Sequence, residues 1–191
     1  MAMFSKFWFT FYFAALLDRE KGGTFGFEVS EDYHTIQSYV PHTNILSTTF
    51  VSEQDEFAVV DFMPCYELYD NKEYYRPAEV YRYIHWIKGP PRIKVNYHPA
   101  PDYARGKAFF NVTSRYIETY SSSNNKDRQY LYSSLPLQGI VDHQEFILEQ
   151  DEFFFCHTMK GDSCWYRAWE TGVLPHVGLL VELDGSYKKV Y

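Results

Sequence analysis

Apolar and polar residues alternate with a period of two over most of this chain, the spacing of a strand with one buried face. Residues 24–29 (T-F-G-F-E-V) follow the turn signal Gly22-Gly23, and residues 34–40 stop at Pro41. Residues 44–51 and 56–62 flank Ser52-Glu53-Gln54-Asp55, a polar stretch suited to a hairpin loop. Residues 80–87 alternate aromatic with polar side chains, Lys88-Gly89-Pro90-Pro91 turns the chain, and residues 92–97 alternate again, so a second hairpin is expected there. Along residues 92–97, Ile93, Val95 and Tyr97 share one face and Arg92, Lys94 and Asn96 the other. Further strands are expected at 107–112, 115–120, 129–132, 145–149 and 152–158, with the polar run 121–127 as a loop tip. A short helix is expected at 13–17. Turns at short intervals with no long helical period predict an all-β, antiparallel β-sandwich of supersandwich-like form, with little helix and one domain over residues 1–191.

Composition sharpens this picture. The 191 residues include 18 Tyr, 16 Phe and 4 Trp, and aromatic side chains fit a pleated, half-buried surface. The net charge of −7, with Lys188-Lys189 the only adjacent basic pair, argues against nucleic acid or an anionic membrane as partner. Cys65, Cys156 and Cys164 make an odd count without C-x-x-C spacing, so reduced thiols and a cytoplasmic location are expected rather than a zinc site or disulfide framework. The apolar run at 7–17 is too short to span a bilayer and lacks a small-x-small cleavage site.

Three segments carry more specific wording. Residues 13–23 read F-A-A-L-L-D-R-E-K-G-G before the strand T-F-G-F-E-V. Residues 43–64 contain T-N-I-L-S-T-T-F, a polar hairpin and F-A-V-V-D-F-M-P; residues 80–106 contain Y-R-Y-I-H-W-I-K-G and H-P-A-P-D-Y-A-R-G. In this order, over about residues 13–158, the chain resembles the N-terminal domain of bacterial and archaeal family 15 glycoside hydrolases, which include glucoamylase-like, glucodextranase-like and trehalase-like enzymes. The resemblance implies a sandwich that accompanies an (α/α)₆ barrel carrying two catalytic glutamates. Both ends depart from the family pattern: M-A-M-F-S-K-F-W-F-T-F-Y replaces its usual opening, and nothing after Thr158 resembles the barrel. The implied partner is therefore a barrel absent from this sequence, and an α-glucoside or α-glucan the substrate of the parent enzyme.

No catalytic residue is carried over. Inverting glycoside hydrolysis needs two carboxyls about 6.5–9.5 Å apart, one with a raised pKa. Here Glu20, Glu28, Glu53, Glu56, Glu67, Glu73 and Glu79 fall in turns or at strand positions expected to face solvent. Asp61 interrupts an apolar strand, so it either caps or pairs with a basic residue such as Arg82, or points towards a partner domain. The aromatic series Tyr66, Tyr69, Tyr74, Tyr75, Tyr81, Tyr83 and Trp86 forms either a sugar-stacking ladder or an interface to the barrel. No H-x-H, H-E-x-x-H, phosphate loop or G-x-S-x-G elbow is present, so neither metal nor cofactor is expected. The leading expectation is a non-catalytic accessory domain prone to self-association through an exposed aromatic patch. A free-standing carbohydrate-binding sandwich is the alternative, and a closed barrel around an apolar ligand a third reading.

Overall fold

The alternation becomes thirteen strands in a computed structural model that describes residues 12–63, 66–68, 73–75, 79–101, 104–123 and 127–160. In chain order these are β1 (Thr24–Glu28), β2 (His34–Tyr39), β3 (Leu46–Val51), β4 (Glu56–Phe62), β5 (Tyr66–Leu68), β6 (Glu73–Tyr75) and β7 (Glu79–Lys88). Then follow β8 (Arg92–His98), β9 (Ala108–Val112), β10 (Ile117–Ser121), β11 (Asp127–Ser133), the short helix α1 (Leu137–Val141), β12 (Glu145–Ile147) and β13 (Glu152–Lys160). An eight-stranded sheet runs β2-β3-β4-β7-β13-β11-β10-β9, a three-stranded sheet runs β1-β8-β12, and β5 pairs with β6. Every pairing is antiparallel.

The two larger sheets face each other as a sandwich. Ile93, Val95 and Tyr97 of β8 point inward, as their spacing predicts, and meet Phe57, Val59, Ile84, Ile117, Leu131, Phe154 and Cys156 of the larger sheet. Phe25 and Phe27 of β1 pack onto the same core, with the Phe27 and Phe154 ring centroids 5.4 Å apart. The buried Tyr97 hydroxyl donates to Gln129 Oε1 at 3.0 Å and lies 3.2 Å from Thr119 Oγ1, which keeps polar groups hydrogen-bonded inside the core.

The hairpin of residues 44–62 forms as expected, with Leu46 opposite Asp61 and Val51 opposite Glu56. The second expected hairpin does not form. β7 lies between β4 and β13 and has no free edge, while β8 crosses to the smaller sheet. Edge competition accounts for the crossing: β4 and β13 occupy both edges of β7, and β1 and β12 those of β8. Gly89 adopts φ +73°, its carbonyl accepts Trp86 Nε1–H at 2.7 Å, and the Pro91 carbonyl accepts Leu148 N–H at 2.8 Å. The connection is thus a corner between layers.

The helix expected at 13–17 is also corrected. The Ala14 carbonyl accepts the N–H groups of Leu17 and Asp18 in a single turn, and Asp18 Oδ1 then accepts those of Glu20 and Lys21, both at 3.0 Å. Leu16 and Leu17 are 98% and 80% exposed, so no buried apolar face rewards helix formation there. The α-helix among the described residues is instead Leu137–Val141, held by the buried Ile140.

Candidate functional site

The larger sheet is apolar on both faces. Odd-numbered residues of β4 and even-numbered residues of β7 and β13 turn inward, so the complementary set turns outward. The outward set includes a row of four rings in direct register: Phe62, Tyr81, Phe155 and Tyr132, on four adjacent strands. Successive centroids lie 5.1, 4.7 and 5.6 Å apart. A second row continues from Phe155 through His157 and Tyr130 to Tyr116, with spacings of 5.2, 5.1 and 5.3 Å. These separations suit offset and edge-on packing. Tyr81 is 9% exposed and both Phe155 and His157 are 1% exposed. A sugar ring therefore has no access to the centre of the row.

Burial sets the electrostatics of this face. It pulls the His157 imidazole down to about 3, so the ring is neutral at physiological pH. The Tyr130 phenol is pushed up to about 12, first by desolvation and then by Glu118, whose Oε1 accepts the hydroxyl at 3.3 Å. Glu118 in turn receives Arg128 Nη1 at 2.7 Å, and that guanidinium stacks 4.8 Å from the Tyr120 centroid.

Asp61 turns inward and pairs with Arg82. Nη2 donates to Oδ2 at 3.2 Å, and Nε approaches Oδ1 at 3.0 Å as an ion-pair contact rather than an aligned hydrogen bond. Burial raises the carboxyl above its usual range and the guanidinium offsets part of that rise. Arg82 also donates to the Phe25 carbonyl and lies 4.6 Å from the Phe25 ring centroid. The pair ties β4 and β7 to β1 of the facing sheet. Its carboxylate is committed to a cation and is not placed to transfer a proton to an external substrate.

A half-open polar cluster flanks the aromatic rows. Asp151, in the turn before β13, accepts the Tyr83 hydroxyl and the Trp86 N–H at 2.8 Å, and lies 3.1 Å from His85 Nδ1. Partial burial opposes ionisation, yet these hydrogen bonds and the His85 charge together hold the Asp151 carboxyl below its usual range. It is a standing acceptor at the sheet surface.

The aromatic series expected from sequence divides. Tyr81 and Tyr83 face outward, whereas Trp86 is on the opposite face, packed against the core and bonded to Gly89. An odd separation along a strand always has this effect. The backbones of Tyr66 and Tyr74 lie in the β5–β6 pair, with Tyr66 opposite Tyr75; their side chains, and Tyr69 entirely, lie outside the described residues. Glu79, expected to face solvent, is 7% exposed and sits opposite His157. Phe62, Phe155, Tyr132 and Asp151 were missed as site residues. The unbroken F-F-F of β13 was the available signal, because an uninterrupted apolar strand is covered on both faces.

No group of three His, Cys, Asp or Glu side chains among the described residues is arranged to hold a metal ion. No helix among them is long and apolar enough to cross a membrane. Cys156 is buried, which pushes its thiol up and leaves it unreactive; Cys65 and Cys164 lie outside the described residues.

No family model and no solved structure matches the chain. Over 136 residues it is 28% identical to a trehalase of Thermoplasma acidophilum, covering 69% of this chain and 22% of that protein. The chain thus spans about a fifth of the length of the curated relative it matches. Its sequence similarity, carried on an antiparallel sandwich, is to part of a glycoside hydrolase.

Proposed function

We propose that this chain is the non-catalytic β-sandwich domain of a family 15, trehalase-like glycoside hydrolase, and that it serves as a packing partner for a catalytic barrel. The observation that carries this reading is the sequence similarity to part of a trehalase, carried on an antiparallel sandwich. On the outward face of the eight-stranded sheet Val60, Tyr81 and Phe155 are already buried within this chain, and the rings that remain open to a barrel include Phe153 and Phe109, 46% and 45% exposed. Aromatic enrichment of this kind suits an interface between domains. Hydrolysis of the α-glucoside is then the barrel's chemistry, and Asp61, locked to Arg82, contributes structure.

The test has two parts. The isolated chain should release no glucose from trehalose, maltose, dextran or starch above a buffer blank. A separately expressed trehalase-like barrel should co-elute with it on size-exclusion. Turnover that survives repurification overturns the non-catalytic assignment, and failure of every such barrel to bind overturns the packing role.

One observation favours a carbohydrate-binding module instead. Tyr83 is part-exposed beside Phe153, with Asp151 and His85 as adjacent polar groups, a small platform on which one sugar ring could rest. Retardation in a starch-containing native gel that Tyr83→Ala abolishes would support this reading.

A further inference from the structure

β2 is an open strand edge without the usual guards. Among the described residues it ends the eight-stranded sheet, pairing with β3 on one side only, in an unbroken six-residue register from His34–Val51 to Tyr39–Leu46. All six of its residues are exposed, and Ile36 and Tyr39 are 62% and 66% accessible. Natural sheet edges are protected by Lys, Pro, a bulge or a covering segment. The sequence H-T-I-Q-S-Y has no Lys, Arg, Asp, Glu, Pro or Gly, and its ladder has no bulge. β9, at the opposite end, is better protected: Lys107 precedes it and its end residues, Ala108 and Val112, are half-buried.

We propose that β2 is a homodimerisation edge, at which a second copy of this chain adds its own β2 antiparallel to form one continuous sheet. The partner follows from self-complementarity. A two-fold axis at Ile36 sets Ile36 against Ile36 of the second copy, Thr35 against Gln37 and His34 against Ser38. No charged pair of like sign is opposed, although each chain carries −7 overall. The same axis keeps the two acidic Glu31-Asp32 corners at opposite ends of the ribbon, separated by at least the length of the six-residue β2, roughly 20 Å. Parallel pairing would bring those corners together. An isologous contact of this kind closes on itself at two copies, and the main-chain bonds it makes are those of β-strand addition.

Sedimentation equilibrium of the full chain, from about 1 to about 200 µM, tests the proposal. The weight-average mass should climb from 22.7 kDa towards twice that value. Ile36→Lys should hold it at the monomer value across the range while circular dichroism and Tm stay unchanged. Leu16→Lys, an equally apolar exposed site elsewhere, and Phe153→Ser, on the aromatic face, should both still dimerise. A monomeric wild type overturns the proposal. So does dimerisation that survives Ile36→Lys, or one that Phe153→Ser abolishes. A nitroxide at position 38 of an otherwise wild-type chain gives a readout independent of Ile36→Lys folding. Labels on the two copies should lie within about 20 Å and broaden each other's spectrum; absence of coupling in a dimer overturns the edge-to-edge arrangement.

Discussion

Asp61 and Arg82 stand directly opposite each other on β4 and β7, with Oδ1 and Nε 3.0 Å apart, beneath the Phe25 and Phe27 rings of the facing sheet. Removing one member of a largely buried pair leaves the other uncompensated, so Arg82→Met should cost about 3 kcal/mol at pH 7. The Asp61 carboxyl already binds its proton more tightly in the folded state than its ordinary 3.8 implies. Loss of the guanidinium raises it further. A raised carboxyl stabilises the fold fully below its unfolded pKa and loses that contribution as pH rises through the folded value. The deficit of Arg82→Met should therefore be largest near neutrality and shrink on acidification, as urea unfolding from pH 4 to 8 would show.

His157 has the opposite sign. Its folded value, about 3, lies below the ordinary 6.5, so the unfolded chain binds the proton more readily. The stability it confers is complete above about pH 6.5 and is lost as pH falls towards 3, at up to about 1.4 kcal/mol per pH unit. His157→Gln should flatten the acid limb of the wild-type stability profile. An unchanged slope between pH 6.5 and 4 would count against a neutral buried imidazole.

Gly89 is required by the corner between β7 and β8. It adopts φ +73°, and a Cβ there would clash with the Asp55 carboxylate and lie 2.6 Å from the Gln54 carbonyl. Gly89→Ala should destabilise by about 2 kcal/mol or more, since strain and contact act together. Equal Tm values for variant and wild type would contradict this geometry.

Cys156 should resist alkylation. Iodoacetamide at pH 8 should leave it unmodified in the native chain and modify it fully after denaturation, as read by peptide mass spectrometry. Burial both raises the thiol pKa and blocks approach. Rapid native labelling at this peptide would place Cys156 at the surface.

The alternation of β8 and of the β3–β4 hairpin was fully legible, because side-chain direction along a strand is a local property with a period of two. Ile93, Val95 and Tyr97 face the core for that reason, and Ser52–Asp55 closes its hairpin within one polar loop. Sheet membership was not legible. β7 and β8 look like hairpin partners because they are adjacent in sequence, yet pairing depends on which distant strands compete for each edge. Here β4 and β13 occupy both edges of β7, and β1 and β12 those of β8. The aromatic site shows the same division. Phe62, Tyr81, Phe155 and Tyr132 come from four separated segments, and only antiparallel register sets them in one row. Composition determined that rings would dominate this protein, and the period of two by itself sets Trp86, five residues on from Tyr81, on the opposite face. The long-range pairing decided which of those faces meets the core and which rings join Tyr81 in the row.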